Sequence, residues 1–194
     1  MYTAAVPLPP TPRPPRLSRI GRYTALYAGL TVVAVVWGAL RGDADILRRG
    51  DSTVRSIAAS ILVGIAFGLL VAVLSSTLAE QFEWARVIHR EFRALLCPIG
   101  SREIFLIAAA SSIGEECFFR GALLPHIGLW PSTVLFALLH IGPGLRHLPW
   151  TAFSLIVGLA LGAMSQHFGD LGGALAAHFT INLINLHHIA NHEL

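Results

Sequence analysis

Three ionisable side chains crowd into an otherwise apolar stretch: Glu115, Glu116 and Arg120. A charged side chain costs about 2.5–3.5 kcal/mol at the centre of a bilayer on insertion scales, so each one needs a physical reason to be there. On a helix Glu116 and Arg120 are i,i+4 neighbours and pair on one face. Glu115 is turned about 100° away and lacks that partner. A carboxylate held in a dry site beside a second one is suited to exchange protons near neutral pH. The run Glu115-Glu116-x-x-x-Arg120 therefore offers one structural acid and one candidate general base. Two more apolar segments bring polar groups. His140 follows Phe136 by four residues, which stacks the two on one helical face. His178 and Asn182 share a face in the same way. Taken singly, a histidine near a helix end reads as a hydrogen-bonded structural residue, and the acid pair as a wet helix boundary. Taken together, three apolar segments each supply ionisable or amide groups, and such groups face a bundle interior or a water-filled cavity. That convergence is what a catalytic site buried in a membrane requires.

The elements that must position these groups are apolar helices. The 194 residues are 54% hydrophobic and only 13% charged, where soluble domains carry about 25% charged residues. This balance excludes an ordinary soluble domain, a disordered chain and a nucleic-acid-binding domain. The formal charge of +3 comes from fourteen Arg and no Lys, a compositional bias and not a binding code. A span needs about 20 apolar residues. Six segments are candidates: Tyr23–Leu40, Ile57–Ala79, Ile104–Ile127, Leu129–Ile141, Pro149–Phe168 and Leu171–Ile189. A soluble bundle would need polar faces at helical period, and Ile57–Ala79 has none. Trp37, Trp84, Trp130 and Trp150 fall near the ends of these segments, where an indole meets both lipid and water. Between Glu80 and Glu103, Phe82, Val87, Phe92, Leu95 and Leu96 alternate with arginines, which predicts an interfacial amphipathic helix ending near Cys97-Pro98. Residues 1–22 hold Pro7 to Pro15 and four arginines, and read as an extended basic tail. The expected fold is thus all-α: a polytopic helix bundle of about six transmembrane helices plus the interfacial helix. Its divisions are 1–22, a tail; 23–103, N-terminal membrane helices and connector; and 104–194, the catalytic domain. Arginines ahead of the first span favour a cytoplasmic N-terminus.

Glu115-Glu116-Cys117-Phe118-Phe119-Arg120, then Phe136 to His140, then His178 to Asn182, stand in the order EExxxR, FxxxH, HxxxN. This triplet resembles the CPBP family of CAAX proteases and bacteriocin-processing proteins, with its Rce1-like prenyl-protein endopeptidases and sorting branches such as myxosortase. The resemblance covers about 104–190. It implies a glutamic-type intramembrane endopeptidase that removes a C-terminal tail, leader or sorting segment from a membrane-associated protein or peptide. Carried over residue by residue, Glu115 and His140 would activate a water, and His178 and Asn182 would donate to the oxyanion. Arg120 would hold Glu116, and Phe136 would support His140. Amide hydrolysis needs these parts: an activated water, a proton for the leaving amine and donors at the oxyanion.

No cofactor is expected, and zinc is the alternative: Glu115, His140 and His178 suit it as ligands, although the His-Glu-x-x-His helix of zincins is missing. Cys97 and Cys117 form no disulfide framework. The expected setting is a multi-pass protein of a bacterial inner membrane, with the bilayer and a peptide substrate as partners and no nucleic acid. Two competing readings are a non-catalytic immunity or scaffold protein and a proton-relaying transporter component.

Overall fold

The computed structural model describes residues 16–43, 45–48 and 52–194. They form an all-α bundle. Its elements are α1 (Arg16–Leu40), α2 (Val54–Gln81), α3 (Glu83–Leu96), α4 (Ser101–Glu115), a π-helical turn (Glu116–Leu123), α5 (Leu124–Ile127), α6 (Leu129–Leu138), a 3-10 turn (Leu145–His147), α7 (Leu148–Phe168) and α8 (Gly172–Asn191). Among the described residues the one β feature is an isolated bridge between Arg48 and Asp170.

The basic tail is shorter than the sequence reading placed it. α1 starts at Arg16, so residues 16–22 are helical and continue the apolar segment; the earlier part of the tail lies outside the described residues. No proline falls within α1, so every residue of that helix keeps its backbone donor.

Among the described residues, three helices are long and apolar enough to cross a membrane unaided: Ile20–Leu40, Val54–Gln81 and Leu145–Phe168. A fourth is counted when Glu83–Leu96 and Ser101–Ile127, bent by 110°, are taken as one broken span. Two of the six expected segments, α6 and α8, fall outside that count by length and composition. α6 has ten residues, about 15 Å of rise against a core of about 30 Å. α8 has the length, but His178, Asn182, Asn185, His187 and His188 interrupt its apolar character. Leu62, Leu70 and Val73 of α2 lie exposed on its outer face, as a lipid-facing surface requires. These apolar helices make the chain a membrane protein.

α2 and α8 pack side by side and run parallel. Ser60 meets Asp170, Gly64 meets Gly173, Gly68 meets Ala177 and Ser75 meets Asn185. The helices touch backbone to backbone: a Cβ on Gly64 would fall onto the Gly173 carbonyl, and one on Gly68 would lie 2.8 Å from the Ala177 carbonyl oxygen. Lipid offers no hydrophobic drive between helices, so this small-residue packing is what holds the pair together. α7 hands over to α8 through Gly169, whose φ of 69° is left-handed and suits a residue without a Cβ.

α3 crosses one end of the bundle. Its polar face is a clamp and not a free solvated surface. Glu91 accepts from Arg146 at 2.6 Å and meets His147 at 2.8 Å. Arg93 donates to the carbonyls of Ile189 and Ala190 at 2.8 and 2.7 Å, capping the C-terminal end of α8, where carbonyls lack helical partners.

Candidate active site

The acid pair sits where α4 gives way to the π-helical turn. Pro125 supplies a local cause for that turn: it cannot donate to the carbonyl four residues back, and its ring excludes that carbonyl. The chain widens its register, and the N–H of Leu124 reaches the carbonyl of Phe119. The Phe119 carbonyl also accepts from Ser132 at 2.9 Å, which ties the turn to α6. Single π turns inside α-helices are frequent at functional sites. The sequence reading expected an unbroken helix; Pro125, two residues beyond the turn, was its visible signal.

The two carboxylates have different surroundings. Glu116 is 0% exposed. Its Oε1 accepts from Arg120 Nη1 and from His178 Nδ1, both at 2.7 Å. Arg120 is itself 2% exposed. Its Nη2 donates to the Gly158 carbonyl of α7 at 2.9 Å, and its guanidinium lies 4.3 Å above the Phe136 ring. A buried ion pair needs such supplementary bonds to offset desolvation. Glu116 and Arg120 therefore lock together the π turn, α6, α7 and α8. Glu115 is 9% exposed. Oε2 of each acid is buried without a hydrogen-bond partner among the described residues, and that of Glu115 stands 3.9 Å from His178 Nε2.

The histidines are oriented by their Nδ1 atoms. His140 Nδ1 lies 2.9 Å from the Phe136 carbonyl. A carbonyl only accepts, so Nδ1 carries the proton and Nε2 is left as an acceptor in the neutral ring. The imidazole packs on Phe136 at 4.6 Å and against Trp150 at 5.4 Å. It is within electrostatic reach of Glu115, His178 and Arg120. Thr151 donates to the His140 carbonyl at 3.0 Å, and Phe92 of α3 backs Trp150 at 5.5 Å. His178 gives its Nδ1–H to Glu116, so it can donate at Nε2 only as the imidazolium. Phe136 also meets His178 edge-on at 6.2 Å, so one phenyl ring separates and supports both imidazoles.

Asn182 lies one turn further along α8 and donates to Ser111 Oγ at 2.9 Å. Ser111 is one turn before Glu115 on α4, so Asn182 is held beside the acid's own helix. The residues singled out from the sequence thus gather at one place, with Asn182 at its margin. Four others lie there that the sequence did not mark as site residues: Ser111, Trp150, Gly158 and Tyr27. Ser111 stands at i−4 from Glu115, which is a readable signal. Trp150, Gly158 and Tyr27 offer none, because only tertiary packing brings them in.

Among the described residues no group of three His, Cys, Asp or Glu side chains is placed to hold a metal ion. Both Nδ1 atoms are committed to the Phe136 carbonyl and to Glu116, which makes Nε2 the ring atom of each histidine that can meet water, substrate or a metal.

The order of these residues along α4, the π turn, α6 and α8 matches one known pattern. Residues 101–184 match the family model described as type II CAAX prenyl endopeptidase Rce1-like. The Rce1-like range runs from the start of α4 into α8 and takes in every residue of the EExxxR, FxxxH and HxxxN groups. The uncharacterized protein YpbD of Bacillus subtilis (strain 168) is 34% identical over 84 residues, 42% of each chain. The chain spans less than half the length of this curated relative. No solved structure matches the chain.

Proposed function

We propose that the chain is an intramembrane endopeptidase that hydrolyses a peptide bond with a water activated by Glu115 and His140. The observation that carries this reading is the division between adjacent carboxylates. Glu116 accepts from Arg120 and His178 through Oε1, whereas Glu115 faces the other side of the same imidazole, its Oε2 3.9 Å from His178 Nε2; Oε2 of both acids is buried without a hydrogen-bond partner among the described residues. An unsatisfied buried acceptor is costly, and a site that binds water and a peptide carbonyl gives it a use.

In the proposed reaction Glu115 takes a proton from the water while His140 Nε2 accepts its other hydrogen and orients it. The water oxygen bonds to the substrate carbonyl carbon, and the carbonyl oxygen becomes an oxyanion. His178 Nε2–H and the Asn182 amide donate to it, the latter by leaving Ser111. The C–N bond then breaks, and Glu115 returns its proton to the departing amine. Arg120 keeps Glu116, and through it His178, in register.

The family model's description concerns prenylated C-terminal tails. For this chain the proposed substrate is a membrane-associated protein cut near its C-terminus or at a leader or sorting segment. The proposed setting is a bacterial cytoplasmic membrane with the N-terminus on the cytoplasmic side. The reading is tested in the native host, by mapping protein termini in wild type, in a deletion strain, and in the deletion complemented with Glu115→Gln. Termini that vanish on deletion and return with wild type but not with Glu115→Gln are expected. Identical termini in all strains would overturn it.

A further inference from the structure

Tyr27 reaches the site from α1, outside the segment that matches the Rce1-like model. Its approach is built into the packing. A Cβ on Gly114 would come within 2.7 Å of the Tyr27 carbonyl oxygen and 3.0 Å of its Cβ, so α1 lies against bare α4 backbone at this point. The contact brings the half-buried Tyr27 ring alongside the next residue, Glu115, and the phenol interacts with that carboxylate. The neighbouring α1 backbone is fixed as well. Thr31 Oγ1 donates to the Tyr27 carbonyl at 3.0 Å, and Ala34 is fully buried in a cluster with Cys117.

Glu115 differs from its neighbour in having few restraints. Two donors fix Glu116 through Oε1, whereas Glu115 stands 3.9 Å from His178 Nε2, beyond hydrogen-bond distance; Oε2 of both acids is buried without a partner among the described residues. A carboxylate that must aim at a water needs its rotamer set by something other than the substrate, because a misplacement of about 1 Å can cost a hundredfold in rate.

We propose that Tyr27 is a positioning residue whose hydroxyl donates to Glu115 and fixes the orientation of that carboxylate within the site. Its consequence for rate rests on the hydrolysis proposed above; its consequence for the carboxylate itself does not. Gly114 takes part as the residue whose missing side chain lets α1 close in.

Tyr27→Phe keeps the ring and the α1–α4 packing and removes only the donor. Two measurements on the full chain, purified in lipid nanodiscs and expressed in the deletion strain, test the proposal. The first is an infrared difference spectrum between wild type and Tyr27→Phe. It is expected to show a shifted carboxylate stretch that disappears when both proteins also carry Glu115→Gln. The second is a pulse-chase of the new termini, with processing expected to slow by about 10- to 100-fold, the range for losing one hydrogen bond to a charged group. The unfolding temperature should stay at the wild-type value. No Glu115-dependent band would overturn the contact. A band with wild-type processing would overturn the positioning role. If wild type itself generates no termini, the hydrolysis reading fails, and the infrared result still decides the contact.

Discussion

α8 presents two faces that do opposite things. Towards α2 it offers Gly173, Ala177 and Thr180 to Gly64 and Gly68, an interface of small residues at backbone contact. Towards α4, the π turn and α6 it offers His178 and Asn182 to Glu115, Glu116 and Ser111. The first face has no ionisable side chain at its glycine contacts and derives its stability from close approach. The second carries an ion pair that needs four elements to satisfy it. The packed face can be rigid because nothing on it has to react. The polar face ties Glu116 down with two donors on one oxygen, yet among the described residues Oε2 of both carboxylates stays buried and unpartnered.

The contrast sharpens under substitution. Arg120→Ala should cause the largest loss of stability, about 3–5 kcal/mol, because it leaves Glu116 charged and buried without its cation; thermal unfolding in detergent measures it. Asn182→Ala should leave unfolding close to wild type and lower the processing rate by about 10²-fold, the scale of one lost oxyanion donor; pulse-chase of the new termini measures that. Gly64→Ala should cost less stability than Arg120→Ala. It presses a methyl group onto the Gly173 carbonyl and should cost about 1–3 kcal/mol of stability. A Gly64→Ala protein as stable as wild type would mean that the packed face yields more readily than its geometry implies.

Much of this was legible in the residue order, and the exceptions have physical causes. Glu116 with Arg120, and Phe136 beneath His140, follow from i,i+4 spacing and are realised as pairs. The all-α bundle follows from apolar length. The site's lock does not follow: that His178 shares the same Glu116 oxygen as Arg120 is a tertiary fact, since 62 residues separate Glu116 and His178. The π turn does not follow from helical period, which runs through Pro125 as if the helix were regular. The start of α1 was placed seven residues late, because arginines were grouped with the prolines before them. Tyr27 was passed over because one phenol in an apolar segment carries no signal until α1 meets Gly114.

The central claim is that adjacent carboxylates have separate roles, Glu115 reacting and Glu116 holding the fold. Its most direct test places Glu115→Gln and Glu116→Gln side by side in one host, reading new protein termini and unfolding temperature for each. Glu115→Gln should unfold like wild type and generate no termini, while Glu116→Gln should unfold at a clearly lower temperature. A Glu115→Gln protein that processes its substrate within tenfold of the wild-type rate would contradict the account.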